Sequence, residues 1–262
     1  MSDKTKAILV VSFGTSINTA REKTIDKIED DFQAAFPDHK IYRAWTSKMI
    51  IRKVLKRDGV KIFTVTDAVE QMIKDGIKDL VVQPTHILNG IENDIMVDEI
   101  QSYAENFNTI RFGSPLLSST HDNIDVIHAI KAEFPEIPND EALVFMGHGT
   151  VHFTNTVYAA LDFTLKDLWH NNIFMGTVEA YPSIDTMVKL VNNLKPKKVH
   201  LAPFMIVAGD HACNDMAGDE EDSWKSIFEK EGYEVICHIK GLGEYPEIRK
   251  MFIKHANEAM EA

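Results

Sequence analysis

The chain contains an internal repeat, in which an apolar run ends in a Gly-Thr turn near the start and again near the middle of the sequence. The two copies are residues 9–15 and 144–150. A strand that stops at such a turn brings the residue before the glycine to its carboxyl end, where open α/β sheets bind ligands. That residue is Phe13 in the first copy and His148 in the second. The first half therefore offers an aromatic wall, and the second offers a base or a metal ligand.

A second repeat follows the first in each half of the chain. It aligns Pro84 with Pro203 and places Glu92 opposite His211. Two matches in the same order favour a duplicated α/β domain over a chance similarity of apolar strands. The two copies then differ mainly in the polar residues that they carry at equivalent positions.

The rest of the chain alternates short β-rich runs with helical patterns, which is typical of parallel sheets with right-handed crossovers. The predicted fold is α/β, with two Rossmann-like domains that each contain a parallel four-stranded sheet flanked by helices. The predicted strands are 7–12, 40–45, 79–86, 110–113, 142–147, 173–177, 198–206 and 233–238, and the predicted helices are 19–35, 47–57, 65–75, 92–106, 119–134, 154–170, 183–193, 222–231 and 245–260.

A proline-rich turn at residues 135–140 indicates a domain boundary nearby. We therefore assign residues 1–125 to an N-terminal α/β domain and residues 126–262 to a C-terminal α/β domain. An alternative for the last helix is that it packs back on the N-terminal domain.

Composition excludes several classes of function. The net charge of −12 argues against a nucleic-acid partner, and no apolar run is long enough to span a bilayer. The start of the chain leads directly into a predicted core strand, so no export signal is expected. Cys213 and Cys237 form no CxxC pair, which favours the reducing cytoplasm. Neither GxGxxG nor a P-loop is present, so no tightly bound dinucleotide or other cofactor is expected.

Three residues that can bind a metal stand at predicted carboxyl ends of strands in the second half: His148, Glu179 and His211. Those ends share one edge of a parallel sheet, so the three side chains can converge. Two imidazoles and a carboxylate suit a divalent first-row metal, and the histidines also suit general-base catalysis. The alternatives are a hydrogen-bonding histidine in a turn, a helix-capping glutamate and a solvated loop.

Two charged segments have open interpretations. The basic segment 48–57 is either a solvated helix face or a clamp for a polyanionic ligand. The acidic run at 215–222 is explained by a solvated helix N-terminus, or it guides cations toward His211. His86 is a weaker candidate for the same site, and His152 and His200 have no predicted role.

Together, these residues resemble the anaerobic, class II sirohydrochlorin cobaltochelatases, which insert Co²⁺ into sirohydrochlorin in cobalamin biosynthesis. The resemblance extends over nearly the whole chain. The motifs that carry it are LVVSFGTS at 9–16, TSKMIIRK at 46–53, FMGHG at 145–149, VEAYP at 178–182, VAGDHACNDM at 207–216 and DSWK at 222–225.

The resemblance implies two halves that enclose a tetrapyrrole, and an ATP-independent chelatase whose substrates are sirohydrochlorin and Co²⁺. It implies metal binding by His148, Glu179 and His211, with the two histidines as the catalytic pair. It implies substrate binding by the turn Ser12, Phe13, Gly14 and Thr15 and by the acidic loop at Glu92. The loop departs from the family pattern at Ile91, Asn93 and Asp94, so its acidic role falls to Glu92 or Asp94.

Alternative functions remain at this stage. A sirohydrochlorin ferrochelatase for siroheme or heme synthesis would use the same donors, because Fe²⁺ and Co²⁺ are neighbours in the affinity order. A tetrapyrrole or metal carrier would bind without turnover. An α/β hydrolase is disfavoured, since no GxSxG elbow is present. The expected partners are sirohydrochlorin and a divalent metal, without nucleic acid or membrane, and a homo-oligomer is an open possibility.

Overall fold

The computed structural model describes residues 5–262, which form two compact units. The first unit consists of two segments, the chain up to Ser118 and Pro246–Ala262. The second unit is Ser119–Tyr245. The boundary drawn from the sequence, at 125/126, falls inside a helix of the second unit. Within residues 5–262, no helix is long and apolar enough to cross a bilayer.

Eight strands and ten α-helices make up these two units in the described part of the chain. The strands are β1 Lys6–Ser12, β2 Lys40–Trp45, β3 Asp79–Pro84, β4 Thr109–Phe112, β5 Ala142–Gly147, β6 Ile173–Thr177, β7 Lys198–Pro203 and β8 Glu234–Cys237. The helices are α1 Asn18–Lys23, α2 Ile25–Ala35, α3 Lys48–Asp58, α4 Val65–Lys74, α5 Ile91–Gln101, α6 Thr120–Glu133, α7 Thr156–Leu168, α8 Ile184–Leu194, α9 Trp224–Lys230 and α10 Pro246–Glu261.

Each unit contains one parallel four-stranded sheet, and the two sheets have the same strand order. The order is β2-β1-β3-β4 in the first unit and β6-β5-β7-β8 in the second. The central strands β1 and β5 are almost entirely apolar and buried, as expected for parallel strands covered on both faces by helices. The predicted fold class is therefore confirmed.

The sequence repeat is also a repeat of strand register. Val11 of β1 pairs with Pro84 of β3, and the equivalent Met146 of β5 pairs with Pro203 of β7. The residue after each proline continues the match: the N–H of Thr85 donates to the carbonyl of Val11 at 2.8 Å, and the N–H of Phe204 donates to the carbonyl of Met146 at 2.7 Å. Residues that align in the two halves of the sequence thus occupy the same place in the two sheets.

The final helix, α10, belongs to the core of the first unit although it comes last in the sequence. It packs against β3, β4 and α2. The Nε atom of Arg249 donates to Asp31 at 2.6 Å, and Nδ1 of His255 donates to the carbonyl of Ser114 at 3.0 Å. The first unit is therefore discontinuous in sequence, and the second unit is inserted between β4 and α10.

The predicted helix at 19–35 is wrong as a single element, because it is broken at Thr24 into α1 and α2. Thr24 departs from helical geometry, with φ −124° and ψ −81°, and its hydroxyl donates to the carbonyl of Ala20 at 2.6 Å. Such a bond from a threonine side chain competes with the regular helical pattern and bends the chain. Periodicity of the apolar residues does not reveal this break.

Candidate metal centre

His148 follows directly after the buried strand β5 and lies at the carboxyl edge of the second sheet. The glycines on both sides of it fix its place. A Cβ on Gly147 would overlap the buried ring of Tyr158, and Gly149 has a positive φ of 86° that favours glycine. The strand therefore ends here in a tight turn, and the side chain of His148 is 45% exposed.

Glu179 reaches the same edge from the neighbouring strand, β6. Its backbone N–H donates to the carbonyl of His148 at 2.9 Å, which extends the β5–β6 pairing beyond the end of both strands. The side chain is 57% exposed, so its carboxylate is accessible to a ligand.

His211 is supplied by the segment that follows β7. It stands immediately before a π-helical turn, Ala212–Met216, and its side chain is 35% exposed. Single π-helical turns are frequent at functional sites. All three side chains that the sequence predicts as metal ligands are therefore in the second unit, at one edge of its sheet.

The structure brings the three side chains together. One ligand atom from each lies within 4.8 Å of the other two. Nε2 of His148 is 3.9 Å from Oε1 of Glu179, and the centroids of the two imidazole rings are 4.8 Å apart with an interplanar angle of 85°. Two imidazoles and one carboxylate at this spacing can share one first-row cation and leave coordination positions open for a substrate.

Hydrogen bonds fix the tautomers of both histidines. Nδ1 of His148 lies 2.8 Å from the carbonyl of Gly149, and a carbonyl only accepts, so Nδ1 carries the proton. Nδ1 of His211 likewise donates to the carboxylate of Asp215 at 2.7 Å. In the neutral form of both residues, Nε2 then has the lone pair that can bind a metal or accept a proton.

Asp215 is a hydrogen-bond partner of His211 that the sequence does not assign to the candidate site. It lies one turn after His211, and a carboxylate behind a ligating histidine raises the basicity of the ring and holds its orientation. The His-x-x-x-Asp spacing was the available signal, but it was obscured by the acidic run in which Asp215 occurs.

Tyr158 supports the His148 turn from beneath. It is buried, and burial raises the pKa of its phenol to about 12, although hydrogen bonds with the backbone of Gly149 and His148 act in the opposite direction. The phenol therefore stays neutral at physiological pH, and it adds no charge below the candidate site.

The residues predicted to bind the substrate through the Gly-Thr turn lie in the first unit and differ in accessibility. Phe13 is 45% exposed. Ser12 is buried, and its hydroxyl accepts from that of Thr85 at 2.9 Å. Thr15 is also buried, and its hydroxyl accepts from the backbone of Ile17 at 3.2 Å. Of these three side chains, that of Phe13 is therefore the one presented to a ligand.

The remaining members of the predicted substrate set are a glycine and a glutamate. Gly14 has φ 100°, and a Cβ at this position would come within 2.6 Å of the ring of Trp45. Gly14 thus shapes the turn that presents Phe13. Glu92 lies exposed in the first turn of α5.

The other candidate histidines lie outside this centre. Both ring nitrogens of His86 are buried without a hydrogen-bond partner, and burial lowers its pKa to about 4. His200 is bonded through Nε2 to Glu141 at 2.6 Å and through Nδ1 to His238 at 2.9 Å. His152 is hydrogen-bonded to the side chain of Thr154 at 2.9 Å.

Comparison with known proteins gives the family. The cobalt chelatase (CbiK) family matches residues 6–261. The chain belongs to this family. It is 41% identical over 255 residues to the sirohydrochlorin cobaltochelatase of Salmonella typhimurium. These residues cover 97% of this chain and 96% of that protein. The family inferred from the sequence motifs is therefore confirmed.

Two further relatives of this cobalt chelatase family member bear on its activity and its fold. The sirohydrochlorin cobaltochelatase CbiKC of Nitratidesulfovibrio vulgaris is 30% identical over 260 residues, which cover 98% of this chain and 91% of that protein. The solved structure of SirB from Bacillus subtilis with Fe³⁺ superimposes with a TM-score of 0.66 at 14% identity, over 97% of this chain and 95% of that one. At that identity the second likeness shows a shared fold alone.

Proposed function

We propose that this chain is a sirohydrochlorin cobaltochelatase that inserts Co²⁺ into sirohydrochlorin without ATP, in anaerobic cobalamin biosynthesis. The observation that carries the proposal is the convergence of His148, Glu179 and His211 within 4.8 Å, in a member of the cobalt chelatase family. The names of two relatives, at 41% and 30% identity, support the choice of substrate.

The metal is held as a substrate rather than as a permanent part of the protein. Nε2 of His148, Nε2 of His211 and the carboxylate of Glu179 supply three donors, and the exposure of all three leaves room for the nitrogens of the macrocycle. Imidazole binds borderline cations such as Co²⁺, and three donors leave positions open for exchange. A site of this kind captures the cation and still releases it to a four-nitrogen acceptor.

Insertion of a divalent cation releases two protons from the inner nitrogens of the macrocycle, so the enzyme needs bases at the same place. We assign this role to His148 as the principal base, assisted by His211. In each residue Nδ1 is engaged by a hydrogen-bond acceptor, so the neutral ring presents the lone pair of Nε2. The Asp215 carboxylate stabilises the cationic form of His211 after it accepts a proton.

The first unit contributes groups that suit a planar, polycarboxylate substrate. Phe13 provides an exposed aromatic ring for the face of the macrocycle, and Glu92, in the first turn of α5, provides an exposed carboxylate. On α3, the side chains of Arg52, Lys53 and Lys56 are exposed and suit the peripheral carboxylates. We assign substrate binding to these groups and metal handling to the second unit.

The net charge of −12 fits small-molecule partners better than nucleic acid. Cys213 and Cys237 are both free thiols, which fits a reducing compartment such as the cytoplasm.

The test is a metallation assay with purified protein, sirohydrochlorin and either Co²⁺ or Fe²⁺ under anaerobic conditions, followed by the absorption change of the macrocycle. An enzyme converts many equivalents per protein, whereas a carrier stops at one. Turnover with Co²⁺ at the higher kcat/KM supports the proposal. Conversion that never exceeds one equivalent, or a clear preference for Fe²⁺, would overturn it.

A further inference from the structure

Asn155 connects the two loops that bear His148 and Glu179. Its Oδ1 atom accepts from the backbone N–H of Thr150 at 3.0 Å, and its Nδ2 atom donates to the backbone carbonyl of Tyr181 at 2.6 Å. Thr150 lies two residues after His148, and Tyr181 lies two residues after Glu179. One side chain therefore joins equivalent points of the two loops.

This bridge complements the bonds that already join the loops at the sheet. The N–H of Glu179 donates to the carbonyl of His148 at 2.9 Å, which fixes the loops where they leave the strands. Asn155 fixes them again farther along the chain. Two separate points of attachment restrict rotation of one loop against the other, and the 3.9 Å spacing between Nε2 of His148 and Oε1 of Glu179 depends on that rotation.

The position of Asn155 makes it a firm anchor. It ends the 3-10 turn Phe153–Asn155 immediately before α7, and its own N–H donates to the carbonyl of His152 at 3.0 Å. An uncharged carboxamide supplies one acceptor and one donor from a single short side chain. It therefore makes both bonds without placing a charge beside the metal ligands.

We propose that Asn155 is a positioning residue that holds His148 and Glu179 at the spacing that a cation requires, and that it thereby sets the affinity for Co²⁺. The inference rests on the proposed function, because it takes these two side chains as metal ligands. His211 comes from another segment, so the effect of Asn155 acts through the His148–Glu179 pair.

The experiment titrates Co²⁺ into the full chain and follows the visible absorption of the bound ion. For Asn155→Ala we expect an affinity about 10-fold weaker and a changed absorption envelope, since loss of a partner behind a metal ligand costs roughly 10- to 100-fold in affinity or activity. Asn155→Ser keeps a polar side chain at this position but is too short to make both bonds, so it should shift the affinity in the same direction.

Asn192→Ala is the matched control. Asn192 is also half-buried in the second unit and also makes two side-chain bonds, to Glu231 at 2.7 Å and from the hydroxyl of Tyr233 at 2.8 Å. Its loss should lower thermal stability without changing Co²⁺ affinity. Equal affinities for wild-type protein, Asn155→Ala and Asn155→Ser would overturn the proposal.

A double-mutant cycle separates positioning from general stability. If Asn155 acts through Glu179, the effect of Asn155→Ala on Co²⁺ affinity should largely disappear in a Glu179→Ala background, because residues coupled through a shared loop are not additive. Fully additive effects would contradict the proposal. His148→Ala keeps the two hypotheses apart: if it binds Co²⁺ as wild type does, the proposed metal site is wrong, and if it alone loses affinity, only the role of Asn155 is wrong.

Discussion

The two units share one backbone frame and differ in the side chains that stand on it. In the second unit, Glu179 N–H donates to the carbonyl of His148 at 2.9 Å, and in the first unit, Ser47 N–H donates to the carbonyl of Phe13 at 3.2 Å. Ser47 therefore occupies the place of Glu179, as Phe13 occupies the place of His148. The third pair aligned by the repeat is Glu92 and His211.

The equivalent residues have different uses. Ser47 is buried, and its hydroxyl accepts from the N–H of Ile50 at 3.4 Å, so it caps the basic helix α3. Glu179 is exposed beside two imidazoles. A parallel sheet of this order therefore brings equivalent positions to one edge whatever their chemistry, and the side chains at those positions decide whether the edge offers a set of possible metal ligands.

His148→Ala should have the largest effect on turnover, and it tests directly whether the chemistry belongs to the second unit. Loss of a general base costs about 10²- to 10⁴-fold, so kcat for metallation should fall by that range while the protein stays folded. Anaerobic absorption kinetics measure it, with the exposed His170→Ala as a control in the same unit. A variant that metallates sirohydrochlorin at the wild-type rate would contradict the assignment of chemistry to the second unit.

His86→Met tests a position where the histidine is in the first unit, since the repeat aligns His86 with Met205 of the second unit. Burial lowers the pKa of His86 from 6.5 to about 4, so below pH 6.5 the unfolded chain binds a proton that the folded chain does not. The free energy of unfolding is therefore not reduced by His86 above pH 6.5, and it falls as the pH drops from 6.5 toward 4, because the folded chain must keep His86 unprotonated. That loss amounts to about 3 kcal/mol of unfolding free energy.

The variant should therefore lose less stability in acid than wild type, by about 3 kcal/mol between pH 7 and pH 4. Urea unfolding at both pH values, with hydrogen exchange of the β3 amides, measures this in the first unit. The exposed His121, changed to Met, serves as the control. An unchanged acid sensitivity in His86→Met would count against a burial effect at this position.

Asp215→Asn tests whether the charge beside His211 matters for the candidate metal centre of the second unit. The substitution retains the shape of the side chain and removes the charge behind His211, so Co²⁺ affinity or turnover should fall about 10- to 100-fold. Titration with Co²⁺ measures the affinity. The matched control is Asp219→Asn, an aspartate of the same acidic run that is bonded to Lys225 at 2.7 Å. Equal losses in both variants would point to the general charge of the run instead.

Phe13→Ala should have the smallest effect, and it should appear in a different parameter. Loss of one aromatic contact of about 1 kcal/mol raises KM for sirohydrochlorin roughly fivefold and leaves kcat almost unchanged. Steady-state kinetics separate the two, with Leu55→Ala as an exposed apolar control. A fall in kcat at constant KM would place Phe13 in the chemical step. It would contradict the assignment of substrate binding to the first unit and of chemistry to the second.

Sequence patterns predicted most of the fold because the strands are short, apolar and punctuated by clear turns. The Gly-Thr turn places His148 at a strand end, and the second repeat places His211 near the end of the next strand in the sheet. Their convergence with Glu179 follows from the rule that parallel strands share one carboxyl edge. Assigning them as a metal site still required the family resemblance, since isolated histidines in turns have many structural uses.

Features that depend on loop conformation could not be predicted in this way. The bond from His211 to Asp215 spans a π-helical turn, and the bridge through Asn155 requires two loops distant in sequence to lie side by side. The break at Thr24 depends on one hydroxyl bond to the preceding turn. In each case a local hydrogen bond, rather than a periodic pattern, determines the structure.

The placement of α10 has a consequence for how the chain is made. A ribosome releases residues from the amino end, so all of Ser119–Tyr245 emerges before the helix that completes the first unit. The second unit can therefore fold during synthesis, while β3, β4 and α2 remain without α10 until the end of the chain emerges. The unit that starts the sequence is therefore the last to be completed, and until then the apolar surface that α10 covers on β3, β4 and α2 stays exposed.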